Sequence, residues 1–507
     1  MKLKSIIVAT IVALVGASCS ESFLDINTNP NTLPTASPNY IFTNALNTSA
    51  ANMVSPNEIG SYWSGQWTQS NGYIISTTTF AYNFTNGDFN YWDGYYDNLQ
   101  DYQFVIENAD TYNQKFLKGP AKVMKALLAQ QLVDMYGNIP LSDALKGVAS
   151  LAPKFDEQKA VYESLITLLD EAIVDIKANA FASAFTSADI VFKGNTSKWT
   201  KFANSLKMRI LMRQARVAGR DAYIKGEINK IVSEGSGFIT GEDIGSGGNG
   251  FYLATAGKLN PVYDRWGYDA NGAKRALNNY PRLTQYLVNS LKASKDTLRL
   301  KRLGYATGGE SATPGVSTKA ELAVNYIGVP FGASSGYLPA GASALGPSLL
   351  VKGEFNRPYI LMTAAEIQFH LAEAKQRYSD VTLSGTAKSY FEEGMKQSFR
   401  VLGANTAGAD AFKASKIDNY DWDASTDKLS AIAIQKWIAL CNFNGLDAWS
   451  EYRKTGLPVT PQSIQVPDAK RPIRFFYPNT ESGSNGDNVK AQGTIDVFAT
   501  RLFWDVD

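Results

Sequence analysis

The stretch that decides the fold runs from Lys198 to Val217 and reads KWTKFANSLKMRILMRQARV. Its apolar side chains at positions 199, 202, 203, 206 and 210 follow the i, i+3, i+4, i+7, i+11 spacing of one helix face. Gly219 stands where such a helix would end. The stretch therefore predicts a long amphipathic helix that must bury one side against neighbouring elements.

Similar helix signals recur along the chain. Ser37-Pro38 is typical of an N-cap followed by proline at the first helical position. Pro120 opens a helix that Gly137 closes, and Thr363 with Glu366 forms a capping-box pattern. Further helices are expected over 156–177, 386–402, 428–440 and 444–454. Long regions rich in Gly, Ser, Pro and Tyr separate them, so we expect a mainly α scaffold of helical hairpins that carries long ordered loops.

The N-terminus has the pattern of an export signal. Lys2 and Lys4 precede the apolar run Ile6–Val15, and Gly16-Ala17-Ser18-Cys19 follows it. The run is too short to cross a bilayer, which needs ~20 apolar residues as a helix. Cys19 lies where a bacterial lipoprotein is cleaved and acylated. We therefore predict a signal peptide over 1–18, lipidation at Cys19 and an extended lead over 19–37; the alternative is ordinary secretion without lipid.

The charge pattern bears on partners. The chain has 49 basic and 47 acidic residues, so loss of Lys2 and Lys4 with the signal would leave 47 of each. Between Ser5 and Gln114 there is no lysine or arginine, yet nine acidic residues occur there, and the rest of the mature chain carries the balancing positive charge. Basic residues are not clustered as nucleic-acid binding requires, so we expect no nucleic-acid partner. Cys441 is the only other cysteine, and with Cys19 lipidated no disulfide could form.

Two short motifs resemble catalytic signatures without their context. Gly245–Gly250 matches GxGxxG, but no amphipathic helix follows to receive a phosphate. Gly332–Gly336 matches GxSxG, yet the only histidine, His370, belongs to the capped helix that Thr363 begins. One histidine and one free cysteine exclude the usual zinc and Cys/His sites, and we expect neither a metal nor a cofactor. A glycoside hydrolase with paired carboxylates needs no histidine, so the sequence does not exclude this function.

An aromatic segment without cations supplies the candidate ligand site. From Tyr62 to Phe104, fourteen of forty-three residues are aromatic, interleaved with amides, hydroxyls and carboxylates. Aromatic faces suit the C–H faces of sugar rings, and the polar groups suit hydroxyls. Trp92 and Tyr96 lead into an apolar series and are expected in the core, as is Trp199. A second loop, residues 260–268, has similar chemistry. The predicted ligand-binding residues are Trp63, Trp67, Asn71, Tyr73, Asp264, Trp266 and Tyr268. For Trp63, Trp67 and Tyr73 the alternative is that the rings belong to the core.

Five segments in order resemble the SusD/RagB family of nutrient-binding outer-membrane lipoproteins of the Bacteroidetes. The most specific is WTKFANSLKMR, residues 199–209, which is similar to the family's W-x-KFANSL-(K/R)-x-R helix. The other segments are FLDINTNPN at 23–31, DMYGNIPLSDA at 134–144, RPY at 357–359 leading to AEIQFHLAEA at 365–374, and QKW at 435–437 leading to GLDAW at 445–449 and RKTG at 453–456.

The resemblance implies a tetratricopeptide-like scaffold over 38–507 as a single domain, with loop insertions near 60–90, 236–275 and 303–358. It implies no enzyme activity, an oligosaccharide ligand or, as the alternative, a peptide ligand, and a position at the outer membrane facing outward. It also implies a SusC-like TonB-dependent barrel as partner. The charge split suggests that the acidic N-terminal part complements basic loops of that barrel; the alternative is that the positive remainder of the chain neutralises it within the fold. The rival functions are the glycoside hydrolase and a purely structural lid of the importer.

Overall fold

The computed structural model describes residues 36–248 and 250–506. The predicted signal peptide, Cys19 and nearly all of the 19–37 lead lie outside these ranges. Within them, no helix combines the length and apolar character that crossing a membrane requires.

Helices dominate the described chain, as the sequence predicts. In chain order the α-helices are α1 Pro38–Trp63, α2 Thr77–Phe80, α3 Trp92–Asn108, α4 Lys118–Tyr136, α5 Gln158–Ala178, α6 Thr196–Arg213, α7 Asp221–Glu234, α8 Gln285–Ala293, α9 Thr297–Leu303, α10 Thr318–Glu321, α11 Ala364–Arg377, α12 Ala387–Leu402, α13 Ala407–Phe412, α14 Lys428–Leu440, α15 Gly445–Thr455, α16 Asn479–Ser484 and α17 Gly486–Lys490. The short strands are β1 Trp67–Gln69, β2 Ile244–Ser246, β3 Pro281–Leu283 and β4 Tyr359–Met362.

The long helices pack in chain order, each against the next. α1 packs on α3, α3 on α4, α4 on α5, α5 on α6 and α6 on α7. In the second half, α11 packs on both α12 and α14, and α14 packs on α15. This succession of helical hairpins is the predicted tetratricopeptide-like scaffold. α15 also packs against α1, so the last long helix returns to the first.

A pair of glycines allows the close crossing of α1 and α15. A Cβ built on Gly60 would meet the backbone carbonyl of Gly445, and one built on Gly445 would meet the carbonyl of Asn57. The Asn57 side chain also accepts a hydrogen bond from the Leu446 backbone amide at 3.0 Å. The two backbones are therefore in direct contact, which only residues without a side chain permit.

The helix-start predictions hold in part. Ser37 stands at the N-cap position of α1 with Pro38 in the first turn, but its side chain makes no capping bond. Thr363 accepts a hydrogen bond from the Glu366 backbone amide at 3.1 Å. The capping box is wrong, however, because the Glu366 side chain does not return to the cap. It points inward and pairs with Arg209. The helix predicted to open at Pro120 begins two residues earlier, at Lys118.

The four strands form two separate two-stranded antiparallel sheets. β1 pairs with β3, with Trp67 opposite Leu283 and Gln69 opposite Pro281. β2 pairs with β4. Each sheet ties a long loop to the helical scaffold, since one strand of each pair lies near the end of a loop region and the other beside a long helix. The β1–β3 pair positions the candidate ligand site.

Helices α6, α11 and α15, which carry three of the family-like segments, meet in a buried ionic network. Arg213 of α6 bonds Asp447 at 2.7 Å and Glu451 at 3.1 Å, both on α15. Lys454 bonds Glu373 of α11 at 2.7 Å. All of these side chains are at most about one-twentieth exposed. Because buried charges must be paired, this network holds α6, α11 and α15 in one arrangement.

Candidate functional site

Three loops meet at one end of the β1–β3 ladder and form the candidate site. They are residues 69–76, 276–282 and 332–340, and we call their shared face the three-loop surface. The ladder continues beyond β1, since the Ser70 amide donates to the Tyr280 carbonyl at 2.9 Å and the Ser70 hydroxyl donates to the Asn279 carbonyl at 2.6 Å. The first two loops are thereby fixed to each other.

Asn71 joins the third loop to the first. Its backbone amide donates to the Tyr337 carbonyl at 2.7 Å, and its side-chain oxygen accepts from the Tyr337 amide at 2.6 Å. Its side-chain nitrogen donates to the Ala333 carbonyl at 2.9 Å. Asn71 is 5% exposed. The expectation that Asn71 bonds ligand hydroxyls is therefore not supported by its geometry, because its polar groups already hold the loops together.

Tyr73 presents the ring predicted at this surface. It is 41% exposed and lies edge-on to Tyr280, with ring centroids 5.8 Å apart and planes at 74°. The Tyr280 hydroxyl donates to the Gln69 side chain at 2.6 Å, and this bond holds the Tyr280 ring in place. Ile74, the next residue in the chain, and Leu338, which approaches Gly72, are 94% and 65% exposed. The surface thus combines an anchored aromatic pair with exposed apolar side chains.

A buried arginine lies under the three loops. Arg282 is 2% exposed and donates to the carbonyls of Pro281 at 2.7 Å and Pro339 at 3.1 Å. Burial lowers the pKa of Arg282 to about 10, so its guanidinium stays charged at neutral pH. This charge binds backbone carbonyls of the second and third loops, and it stiffens the surface without facing a ligand. Sequence reasoning missed Tyr280 and Arg282, which the pairing of β1 with β3 brings beside the first loop, and Tyr337, which the Asn71 hydrogen bonds bring there.

Trp63 and Trp67 lie inside the protein instead of on the surface. Trp63 is fully buried against Trp449 and Phe475, and its indole nitrogen donates to the Thr79 carbonyl at 3.0 Å. Trp67 is 2% exposed and donates to the Asn442 side chain at 3.0 Å. Neither ring offers a face to a ligand, so the structure favours the core alternative for Trp63 and Trp67. Their polar neighbours are buried too, which is why the local composition misled.

The second predicted loop also turns its rings inward. A single π-helical turn, Tyr263–Gly267, directs Trp266 against Trp67, with ring centroids 5.4 Å apart and planes at 89°. Trp266 and Tyr268 are each 2% exposed, and the Tyr268 hydroxyl donates to Glu310. Burial raises the pKa of Tyr268 well above its usual range. The expected stacking surface on these two rings is wrong for the same reason.

Asp264 remains accessible. Its side chain is 37% exposed and pairs with Arg275, and it lines an open groove of about 600 Å³ between the π-helical turn and α1. Of the seven predicted ligand residues, Tyr73 and Asp264 are the two whose side chains reach solvent, and the groove at Asp264 borders the three-loop surface at Ala276 and Leu277. Trp92 and Trp199 are buried, at 3% and 0% exposure, as predicted for core residues.

The catalytic-looking motifs lack the geometry for catalysis. His370 is 1% exposed and contacts Glu366 at 3.4 Å and Lys436 at 3.5 Å. Its burial lowers the pKa of the imidazole to about 4. Ser334 lies exposed on the three-loop surface and His370 lies in the interior, so the two do not form a nucleophile and base. Gly245 belongs to strand β2, which no helix follows directly.

Comparison with known proteins agrees with this architecture. A family model described as "Starch-binding associating with outer membrane", SusD-like, matches residues 30–478. The chain belongs to the SusD-like family. The family resemblance and the mainly α, helical-hairpin fold predicted from the sequence are thereby confirmed.

Solved structures of SusD homologues superpose on this SusD-like chain over nearly its whole length. One from Bacteroides fragilis NCTC 9343 has a TM-score of 0.74 at 22% identity and covers 93% of this chain and 99% of its own. A chitin-binding SusD homologue from Flavobacterium johnsoniae has a TM-score of 0.71 at 22% identity, covering 92% and 99%. One from Bacteroides uniformis ATCC 8492 has a TM-score of 0.71 at 23% identity, covering 92% and 100%. Curated protein sequences give no match.

Proposed function

We propose that this SusD-like protein is a noncatalytic binding protein that captures glycans at the three-loop surface. The observation that carries the proposal is the Tyr73–Tyr280 pair, an exposed ring standing on an anchored one. Aromatic faces suit the apolar faces of sugar rings, and the exposed Ser334 and Ser335 hydroxyls of the third loop suit sugar hydroxyls. The family description and the chitin-binding relative support a glycan as the ligand class; the alternative ligand is a peptide.

The three-loop surface is arranged before any ligand arrives. Backbone hydrogen bonds join the first loop to the second, Asn71 joins the first to the third, and Arg282 bonds carbonyls in the second and third. A preorganised site loses little conformational entropy on binding, so more of the contact energy remains as affinity. A surface of this kind suits capture better than catalysis, which needs reactive groups held close together.

A calorimetric titration with starch and chitin oligosaccharides tests the capture function. Replacing Tyr73 by alanine should weaken binding at least tenfold, which is about 1.4 kcal/mol. Tyr40→Ala is the matched control, because Tyr40 is 67% exposed but lies near the start of α1. Along the helix it is about 35 Å from Trp63, where α1 ends before the first loop. Flat titrations with glycan and peptide panels alike would contradict the proposal and support a purely structural lid.

The rival hydrolase is tested on the same material. Incubation of the purified protein with each glycan should release no new reducing ends. Their appearance at a rate proportional to protein concentration, and its loss in a variant with one exposed carboxylate replaced, would establish paired-carboxylate hydrolysis instead.

We further propose that the protein is anchored at the outer-membrane surface through lipid on Cys19 and hands its ligand to a SusC-like TonB-dependent barrel. The signal-like N-terminus and the family resemblance support this proposal. Changing Cys19 to alanine should release the protein from the outer-membrane fraction into the soluble fraction. A variant that still partitions with the membrane would contradict the anchor, and purification from membranes without a large barrel would contradict the partner.

A further inference from the structure

A cavity away from the three-loop surface is lined by an excess of positive charge. It has a volume of about 250 Å³ and lies where the C-terminal end of α12 meets α9 and the chain leading into β4. Its charged lining consists of Arg302, Arg357, Arg400, Asp243 and Glu354. Three guanidinium groups thus face two carboxylates, which leaves one positive charge uncompensated by the lining.

Two of the three arginines are already occupied. Arg400 pairs with Asp243 at 2.8 Å, and Asp243 also accepts from the Ala364 amide at 3.0 Å. Arg357 pairs with Glu354 and donates to the carbonyls of Pro347 and Ser348 at 2.9 and 3.0 Å. These two guanidinium groups hold the walls of the cavity in place.

Arg302 is the third arginine, and its charge is free. Its Nε donates to the Leu402 carbonyl at 2.8 Å, and within the described ranges no carboxylate lies within 4.0 Å of its guanidinium. The backbone of Gly403 lies so close that a Cβ there would be 2.9 Å from Arg302 Nη2. Gly403 also has φ of +71°, a left-handed conformation that ends α12 and favours glycine. The end of α12 is therefore shaped to let this guanidinium reach the cavity.

We propose that this cavity binds the carboxylate of a uronic acid, with Arg302 as the donor to the carboxylate. A guanidinium offers two parallel N–H groups that match both oxygens of a carboxylate, and partial desolvation strengthens the pairing. The volume is below the ~300–1,000 Å³ of sites for drug-sized molecules, which suits one sugar residue. The Tyr263 hydroxyl accepts from the Gly353 amide at 3.0 Å and the Ser348 hydroxyl accepts from Asn442 Nδ2 at 3.1 Å, so each of these lining hydroxyls keeps a proton to donate to a sugar hydroxyl. This inference rests on the proposed function, since it assigns an acidic sugar to a glycan-binding protein.

Calorimetric titration of the full chain with sodium glucuronate and sodium galacturonate tests the inference, with glucose, galactose and inorganic phosphate as comparison ligands. We expect the uronates to bind, the neutral sugars not to bind at this cavity, and the affinity for uronates to fall as salt concentration rises. A flat uronate titration would overturn the inference. Phosphate binding as tight as uronate binding would also overturn it, because the cavity would then recognise any small anion.

Charge variants locate the site. Arg302→Gln should weaken uronate binding at least tenfold, and Arg302→Lys should give an intermediate loss because it keeps the charge without the paired N–H groups. Lys301→Gln is the matched control on the same helix, since Lys301 pairs with Glu321, whose side chain is 51% exposed. Circular dichroism and thermal midpoints show whether each variant folds. If Arg302→Gln does not fold, the uronate affinity of Arg302→Lys tests the site instead. Equal affinity in Arg302→Lys, Arg302→Gln and wild type would place the site elsewhere.

The two proposals fail separately. If neutral oligosaccharides bind and Tyr73→Ala weakens them while uronates do not bind, the capture function stands and the acidic-sugar cavity is wrong. If uronates bind through Arg302 while Tyr73→Ala leaves every neutral glycan unaffected, the cavity stands and the three-loop surface is not the capture site.

Discussion

Arg209 and Glu366 form a two-bond ion pair in the interior, although 157 residues separate them. Arg209 Nε donates to Glu366 Oε1 at 2.6 Å and Nη2 donates to Oε2 at 3.0 Å. Their side chains are 0% and 1% exposed. The pair joins α6 to α11, and Asp447 of α15 lies 3.3 Å from Arg209 Nη1. Three helices far apart in sequence are therefore held by one guanidinium.

Breaking this pair should destabilise the fold strongly. Arg209→Met leaves Glu366 buried beside a thioether and without its cation, and we expect a loss of ~3–5 kcal/mol in the free energy of unfolding. Urea denaturation followed by circular dichroism measures it. The matched control is Lys225→Met, which breaks an exposed pair with Asp380 whose side chains are 36% and 65% exposed and should cost under ~1 kcal/mol. Similar losses in both variants would show that burial does not set the cost.

The glycine contact between α1 and α15 predicts opposite effects at two helical glycines. Gly60→Ala forces the crossing apart and should destabilise the protein by more than ~1 kcal/mol, because the added methyl meets the Gly445 backbone. Gly226→Ala in α7 should instead stabilise it by ~0.5–1 kcal/mol, since nothing lies within 4 Å of the added methyl. The thermal unfolding midpoints of both variants, compared with wild type, test this prediction. Stabilisation by both would mean that the crossing is not as close as the structure shows.

Stability and binding should separate at Trp63 and Tyr73. Trp63→Ala removes a fully buried ring and should cost ~3–5 kcal/mol of folding free energy. Tyr73→Ala removes a ring that is 41% exposed and should change stability by under ~1 kcal/mol while weakening glycan binding at least tenfold. The comparison needs both an unfolding curve and a titration for each variant. If Trp63→Ala keeps its stability but loses glycan affinity, Trp63 belongs to the binding site after all.

His370 should make stability depend on pH between about 6.5 and 4. Burial lowers the pKa of the folded imidazole to about 4, so the unfolded chain binds the proton first as pH falls. Stability is then lost over this interval, by on the order of 3 kcal/mol from this group. Burial also raises the pKa of Asp447 to about 6, and protonation of that carboxyl favours the folded state over the same interval and offsets part of the loss.

The contribution of His370 is therefore measured as the difference in unfolding free energy between wild type and a variant without the histidine. Urea unfolding of wild type and His370→Gln at several pH values between 7 and 4 provides it. We expect the gap between the two free energies to change as pH falls, with wild type losing more. Parallel curves would mean that His370 does not titrate differently in the folded and unfolded chains.

How much of the site the sequence predicted depends on the kind of residue. Helix starts and ends such as Ser37-Pro38 and Gly137 were readable, because capping and proline preferences act within a few residues. The exposure of Trp67 and Trp266 was not readable. Their Ser, Gln and Asn neighbours were expected to mark a solvated loop, but those polar groups satisfy buried backbone instead, as Gln66 does with the Trp437 carbonyl at 2.8 Å.

By itself, the sequence determined the helical scaffold and the family, because the spacing of apolar residues and the capping residues are local properties of the chain. Only the tertiary structure decided which aromatic rings face solvent and which charged side chains lack an ion-pair partner. Tyr73 stands on Tyr280 because β1 pairs with β3 across more than two hundred residues. Among the described residues, Arg302 has no carboxylate partner because the two carboxylates of its cavity, Glu354 and Asp243, pair with Arg357 and Arg400. Burial and pairing are sums over such distant contacts, and no local pattern in the sequence contains them.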